Sequence, residues 1–267
     1  ALEANTTASY NTAVGNHALE VNTTGAENTA VGYGSLDANT TGQNNVAIGK
    51  MALSANTTAS NNVAIGKDSM LVSTTGDQNV AVGINSLLDN TTGNYNVAIG
   101  FGSLNSNTTA SGNIAVGYQA LSSNTTGSLN TALGYQSLED NTTGGENTAI
   151  GYKSLYNCTG GNYNTAVGLY SLYDLTTGSN TTAIGRSAGY NITDGDYNTC
   201  VGKDSLYTLT TGDQNVAVGN RAGYSQTTAN ANVWVGDHSG YANTEGQDNT
   251  AAGLKSLYSN TTGDKNV

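Results

Sequence analysis

Few side chains in this 267-residue chain could move a proton, attack a carbonyl or hold a metal. The two histidines, His17 and His238, stand near opposite ends of the chain, and the two cysteines, Cys158 and Cys200, are well separated from them and from each other. No Ser-His-Asp set, no Cys-His pair and no zinc-spaced cluster accompanies them. Glu139 and Asp140 are sequence neighbours, which solvent rather than acid-base work explains. Calcium-binding β-rolls need Gly-Gly-x-Gly-x-Asp spacing, and Asp194 and Asp196 stand nearly alone without it. The sequence therefore predicts no enzyme, no metal and no cofactor. With a net charge of −11 and a pI near 4.2 it also lacks the basic patches that nucleic acid or an anionic membrane requires. No apolar stretch is long enough for a membrane-spanning helix, and no charged segment followed by an apolar one opens the chain as a signal peptide.

What must position any functional residue is a repeat. Fifteen glycines, from Gly15 to Gly253, recur with a constant period of 17 and without insertion or deletion. Each copy reads roughly Asn-Thr/Val-Ala-Val/Ile-Gly-x-x-Ser/Ala-Leu-x-x-Asn-Thr-Thr-Gly-x-x, with Asn11 as the first position 1. A period that never slips marks one turn of a continuous stack, because a globular domain tolerates loop insertions that stacked turns do not. The whole of residues 1–267 is expected to be one repeat array, a segment of a longer fibre.

Positions 2 to 4, as in Val46-Ala47-Ile48, alternate large and small before a glycine, the pattern of a short strand. The Val/Ile of position 4 is expected inside the coil and the Ala of position 3 outside. Gly at position 5 implies either positive φ or close approach of another segment. Position 9 is Leu or Met in twelve copies and is expected to supply a second inward residue from a second strand. Gly189, Gly223 and Gly240 break that series. Each is followed by a tyrosine, whose ring is expected to fill part of the space. Asn-Thr-Thr-Gly at positions 12 to 15 combines turn formers with β-favouring threonine and reads as a corner. The position-1 asparagines are expected to form a ladder of amides, as aligned identical residues do in cross-β arrays. The cysteines occupy different positions about two and a half coils apart, beyond disulfide reach, and are expected to stay unpaired.

The fold class is accordingly all-β, a parallel β-roll or β-solenoid of about fifteen 17-residue coils. One Val/Ile and one Leu per coil is little apolar burial against the entropy of ordering the whole coil. Oligomerisation is therefore expected, with the small residues of positions 3 and 8 as its surface.

Two sets of residues are candidate sites. Position 10 carries Tyr156, Tyr173, Tyr190, Tyr207, Tyr224, Tyr241 and Tyr258 in seven consecutive copies. This row is either a surface for sugars or another filament, or a structural ladder covering the coil. Twelve Asn-x-Ser/Thr sequons also occur, at Asn5, Asn22, Asn39, Asn56, Asn90, Asn107, Asn124, Asn141, Asn157, Asn180, Asn191 and Asn260. They read either as N-glycosylation acceptors or as turn chemistry repeated.

The Asn-Thr-Ala-Val/Ile-Gly-x-x-Ser/Ala-Leu core resembles the YadA-like head repeats of trimeric autotransporter adhesins and similar repeats in bacteriophage tail fibres. The resemblance covers essentially the whole chain. It implies a left-handed β-roll in which three chains pack around an axis, outside the cell, on its surface or on a virion. The family's repeat is shorter and lacks the extra Asn-Thr-Thr-Gly corner. The expected function is a non-enzymatic structural and adhesive fibre segment that forms a homotrimer or filament and touches a host or cell-surface glycan or protein. The alternative is an ice-binding solenoid that uses threonine arrays.

Overall fold

The computed structural model describes all 267 residues. The chain is a β-solenoid with one three-residue strand in each 17-residue turn, every strand pair parallel, and no helix. It divides into two compact units, Ala1–Asn130 and Thr131–Val267. The first holds β1 (Thr12–Val14), β2 (Thr29–Val31), β3 (Val46–Ile48), β4 (Val63–Ile65), β5 (Val80–Val82), β6 (Val97–Ile99) and β7 (Ile114–Val116). The second holds β8 (Thr131–Leu133), β9 (Thr148–Ile150), β10 (Thr165–Val167), β11 (Thr182–Ile184), β12 (Thr199–Val201), β13 (Val216–Val218), β14 (Val233–Val235) and β15 (Thr250–Ala252). Within each unit every strand pairs with the next in unshifted register, as Thr12 with Thr29 and Thr165 with Thr182.

The strand is inverted relative to expectation. Position 3 faces in: Ala30, Ala47, Ala98, Ala149 and Ala217 are fully buried. Position 4 faces out, with Ile99 at 39% and Ile184 at 43% exposure. The position-8 residues, such as Ser103 and Ala120, are buried too, so positions 3 and 8 offer no surface for association. The interior consists of Ala from the strand, Leu from position 9, Ser or Ala from position 8 and the asparagines of positions 1 and 12.

No second strand forms. Positions 7, 9 and 17 instead take left-handed backbone, as at Gln136 (φ 52°), Leu138 (φ 52°) and Glu146 (φ 58°). This is costly for non-glycine residues. It is held by backbone hydrogen bonds that run from coil to coil outside the strands as well, for example Leu138 N–H to the Ser154 carbonyl at 3.0 Å and Lys153 N–H to the Tyr135 carbonyl at 3.0 Å. Gly at position 5 satisfies both readings at once: Gly151 has φ 136°, and a Cβ built there would lie 2.5 Å from the Gly168 carbonyl oxygen.

Side-chain ladders reinforce the stack, among them those at positions 1, 12 and 16. At position 1, Asn28 Oδ1 accepts the backbone N–H of Asn45 at 3.0 Å, while its Nδ2 donates to the Gly42 carbonyl of its own coil at 2.8 Å. Direct amide-to-amide bonds between coils occur at position 1 in later coils, as from Asn215 Nδ2 to Asn198 Oδ1 and from Asn249 Nδ2 to Asn232 Oδ1, both at 3.1 Å, and at position 12, where Asn39 Nδ2 donates to Asn22 Oδ1 and Asn56 Nδ2 to Asn39 Oδ1, both at 2.8 Å. At position 16, Asx and Ser side chains accept backbone N–H groups from the preceding coil, as Asp213 does from Asp196 at 2.8 Å and Asn230 from Asp213 at 2.7 Å. Thr181 replaces asparagine in the first ladder and keeps both roles: it accepts the Asn198 N–H at 3.3 Å and donates to the Gly195 carbonyl at 3.2 Å.

The coil is not short of burial. The chain exposes 10188 Å², close to the roughly 10,800 Å² that surface scaling gives a globular monomer of its mass. The case for association therefore does not rest on a thin interior.

The breaks at position 9 are filled from within rather than by the following tyrosines. A Cβ on Gly189 would meet Ile192 at 3.0 Å and Cys200 Sγ at 3.3 Å; one on Gly223 would meet Trp234 Cδ1 at 2.6 Å, and one on Gly240 would overlap the same indole. Cys200 and Trp234 are the two residues that replace Ala at position 3. Each enlarges one wall of the coil where the opposite wall has lost its Leu. The indole Nε1 donates to Gln226 Oε1 at 2.8 Å, and Gln226 Nε2 donates to the Ala229 carbonyl at 2.8 Å, the role of the position-12 asparagine.

Candidate functional site

The chain has no pocket and no group of three His, Cys, Asp or Glu side chains placed to hold a metal. Each histidine is engaged locally, His17 Nδ1 with Glu20 Oε2 at 2.6 Å and His238 with Asp237. Both cysteines are free and buried. Burial pushes the Cys158 thiol up to about 11 and the Cys200 thiol up to about 12, so neither is a ready nucleophile.

The position-10 tyrosines form a continuous stack in the second unit. Centroids from Tyr156 to Tyr258 lie 5.1–5.4 Å apart with interplanar angles of 6–21°. Near-parallel rings at this separation cannot lie side by side in one plane, where their edges would collide, so they overlap obliquely. Much of each face is turned to a neighbour. This is a favourable aromatic arrangement, but it offers a sugar less flat surface than an unstacked ring would. Cations cap it at three places: Lys153 Nζ lies 4.5 Å from the Tyr156 centroid, Arg221 Cζ 5.6 Å from Tyr224 and Lys255 Nζ 5.7 Å from Tyr258.

A second aromatic column, at position 6, was not anticipated from the sequence. Tyr135 stacks on Tyr152 at 5.3 Å in the second unit, and Phe101 on Tyr118 at 5.5 Å in the first. Tyr170 joins the two columns of the second unit edge-on, 5.4 Å from both Tyr152 and Tyr173. The signal was there to find: Phe101, Tyr118, Tyr135 and Tyr152 are spaced by 17 like every other ladder.

The sequons divide by position. Asn22, Asn39, Asn56, Asn90, Asn107, Asn124 and Asn141 are fully buried, and Nδ2, the atom that would carry a glycan, donates within the coil, as from Asn22 to the Gly25 carbonyl at 2.9 Å. Within the folded coil these seven amides act as the turn and ladder groups of the repeated corner. Asn5, Asn157, Asn191 and Asn260 are half-buried with Nδ2 engaged, and Asn180 is exposed.

The unengaged apolar surface is the outward strand face. Positions 2 and 4 place Thr, Val, Ile and Leu side by side along the sheet. Val14, Ile48, Ile99 and Ile114 are exposed in the first unit and Leu133, Ile184, Val218 and Val235 in the second.

Partial burial holds the carboxyls of Asp37, Glu139, Asp140 and Asp174 above the usual carboxylate range. The hydrogen bond from His238 holds the exposed Asp237 below it. A carboxyl raised in the fold binds more protons folded than unfolded. Its contribution is present at low pH and lost as pH rises through the raised value. Thermal melts should therefore show a midpoint that falls as pH rises from about 4, the ordinary carboxylate range, toward 7, and Glu139→Gln, Asp140→Asn and Asp174→Asn together should flatten that slope.

No family model, no curated protein and no solved structure matches the chain.

Proposed function

We propose that this chain is a structural and adhesive fibre segment, extracellular, cell-surface or virion-attached, that associates with further copies of itself through the outward strand face. The observation that carries the reading is the inversion of the strand. The coil fills its own interior with Ala, Leu, Ser and Asn and turns the larger position-4 residues outward, some exposed, as Ile99 and Ile184, and others half-buried, as Ile65 and Val167. Such a face is what association buries. Three copies is the number that the resemblance to YadA-like heads suggests, and the tyrosine columns are the surface left for a host or cell-surface glycan or protein.

Mass in solution tests it. The native chain should be oligomeric at micromolar concentration, and Ile184→Asp with Val218→Asp should yield folded monomers, since both side chains point away from the coil interior. A native chain that stays monomeric would remove the reading.

Ice binding is the second reading, favoured by one observation. Thr131, Thr148, Thr165, Thr182 and Thr199 begin five consecutive strands, each one residue before a buried position and two before an outward Leu, Val or Ile. The alternate outward residues of a flat site are thus present on the strand. The corner threonines, by contrast, spend their first hydroxyl on the next coil, as Thr91 does on the Thr108 carbonyl at 2.9 Å. One face cannot serve both ends. Thermal hysteresis from a monomer with this face free would support ice binding, and an oligomer without hysteresis supports the fibre.

A further inference from the structure

Charge is distributed unevenly about the strand face of the second unit. The side that follows the strands, positions 6 and 7, carries Lys153, Arg186, Lys203, Arg221 and Lys255 against Asp204 and Asp237. The side that precedes them, positions 16 and 17, carries Glu146, Asp196, Asp213, Asp248 and Asp264 against Lys265. Four strands have an acid on one side and a cation on the other: Glu146 and Lys153 about β9, Asp196 and Lys203 about β12, Asp213 and Arg221 about β13, Asp248 and Lys255 about β15. None of these eight residues is buried. Within the chain, only Asp204 bridges any of these cations, at 3.6 Å from both Lys203 and Arg221. The acids on the other side have no ion pair.

Two copies can bring their strand faces together in two ways. Rotation about the direction in which the strands stack exchanges the two sides, so that acids meet cations at the same strand level while the copies run parallel. Rotation about the strand direction itself keeps the sides, so that acids meet acids and cations meet cations while the copies run antiparallel. Opposite charges across an interface select orientation and register, and like charges reject the alternative.

We propose that these charge lines form a clamp with a second copy of this chain, committing the strand-face interface to parallel, level-matched association: Glu146, Asp196, Asp213 and Asp248 of one copy face Lys153, Lys203, Arg221 and Lys255 of the next. The inference rests on the self-association proposed above. The apolar strand residues supply contact, and the clamp decides which way the copies lie. It holds for any assembly whose symmetry axis follows the stacking direction.

The test uses the full chain and four proteins: native, Lys153→Glu with Lys255→Glu, Glu146→Lys with Asp248→Lys, and all four exchanges together. Asp196 and Asp213 are left intact because each accepts a backbone N–H. Each one-sided reversal should raise the dissociation constant on the order of tenfold in sedimentation equilibrium, and the four-fold exchange should recover most of the loss. Circular dichroism melts establish that each variant folds. The native assembly should also weaken with salt as the screening length falls from about 10 Å at 0.1 M to about 3 Å at 1 M, a readout that needs no variant. A spin label on Lys265→Cys, with the native cysteines buried and unreactive, should report close label pairs in a parallel assembly. An oligomer indifferent to both reversals, or one whose labels lie far apart, overturns the clamp and leaves self-association standing. A native chain that is monomeric in low salt overturns the self-association reading itself.

Discussion

Gly151→Ala is expected to lower stability by at least about 3 kcal/mol, whereas Gly160→Ala, in the corner of the same coil, should change it little. The two positions separate two meanings of glycine in this chain. Gly151 has φ 136°, a region essentially closed to residues with a Cβ, and the added methyl would lie 2.5 Å from the Gly168 carbonyl oxygen and 2.7 Å from its carbon. Neither atom can move without breaking the coil below, because the Gly168 N–H is itself bonded to the Ile150 carbonyl at 2.8 Å. Strain and overlap therefore add. Gly160 stands where most copies have the second corner threonine, and a Cβ there would meet only Thr143 Oγ1 at 3.5 Å. Urea denaturation followed by circular dichroism measures the difference. Hydrogen exchange should place the loosening in the coils that hold Gly151 and Gly168, since a stack transmits damage to its nearest neighbours first. Equal effects of the two substitutions would show that the position-5 contact does not limit the spacing of coils.

The architecture was legible because its signal is periodic. A 17-residue repeat without slippage specifies a stack, and Val/Thr-Ala-Val/Ile-Gly specifies a strand that ends at a constrained glycine. Which face of that strand points inward was not legible from hydrophobicity. Val and Ile are more apolar than Ala, yet the space facing the position-9 Leu and the position-12 Asn admits only the small residue. Uniformity was the better guide: position 3 is Ala in thirteen of fifteen copies, while position 4 ranges over Val, Ile, Leu and Ala. A packed interior tolerates little change in volume, whereas an outward position does. The missing second strand has a different cause. Positions 7 and 9 adopt left-handed backbone with residues such as Lys153 and Leu155 (φ 49° and 51°), which carry no local preference for it. Bonds to adjacent coils impose that conformation, as from Leu155 N–H to the Ser171 carbonyl at 2.9 Å. The tyrosine ladder is visible in the sequence as a row. Its oblique overlap, which decides what it can offer a ligand, depends on side-chain torsions that spacing does not encode.

Trp234 gives the other large effect. Trp234→Ala should cost about 3–5 kcal/mol, the usual range for emptying a buried aromatic site, and it would also leave Gln226 Oε1 without the indole donor at 2.8 Å. The loss should be recoverable, because the neighbouring coils show what the ordinary solution looks like. Restoring the repeat with Trp234→Ala, Gly223→Leu, Gly240→Leu and Gln226→Asn refills the same volume from the opposite wall. Backbone conformation is no obstacle: Gly223 and Gly240 have φ 59° and 60°, and Leu206 and Leu257 occupy the same repeat position at φ 46°. These glycines are there for space. Gly240→Leu alone, with the indole still present, should therefore destabilise by about 1–3 kcal/mol through overpacking, while the same change in the Trp234→Ala background should stabilise. That reversal of sign is a coupling through shared volume, which a double-mutant cycle in urea denaturation isolates. Independent, same-sign effects would mean that the indole and the position-9 side chains do not compete for one site in the coil.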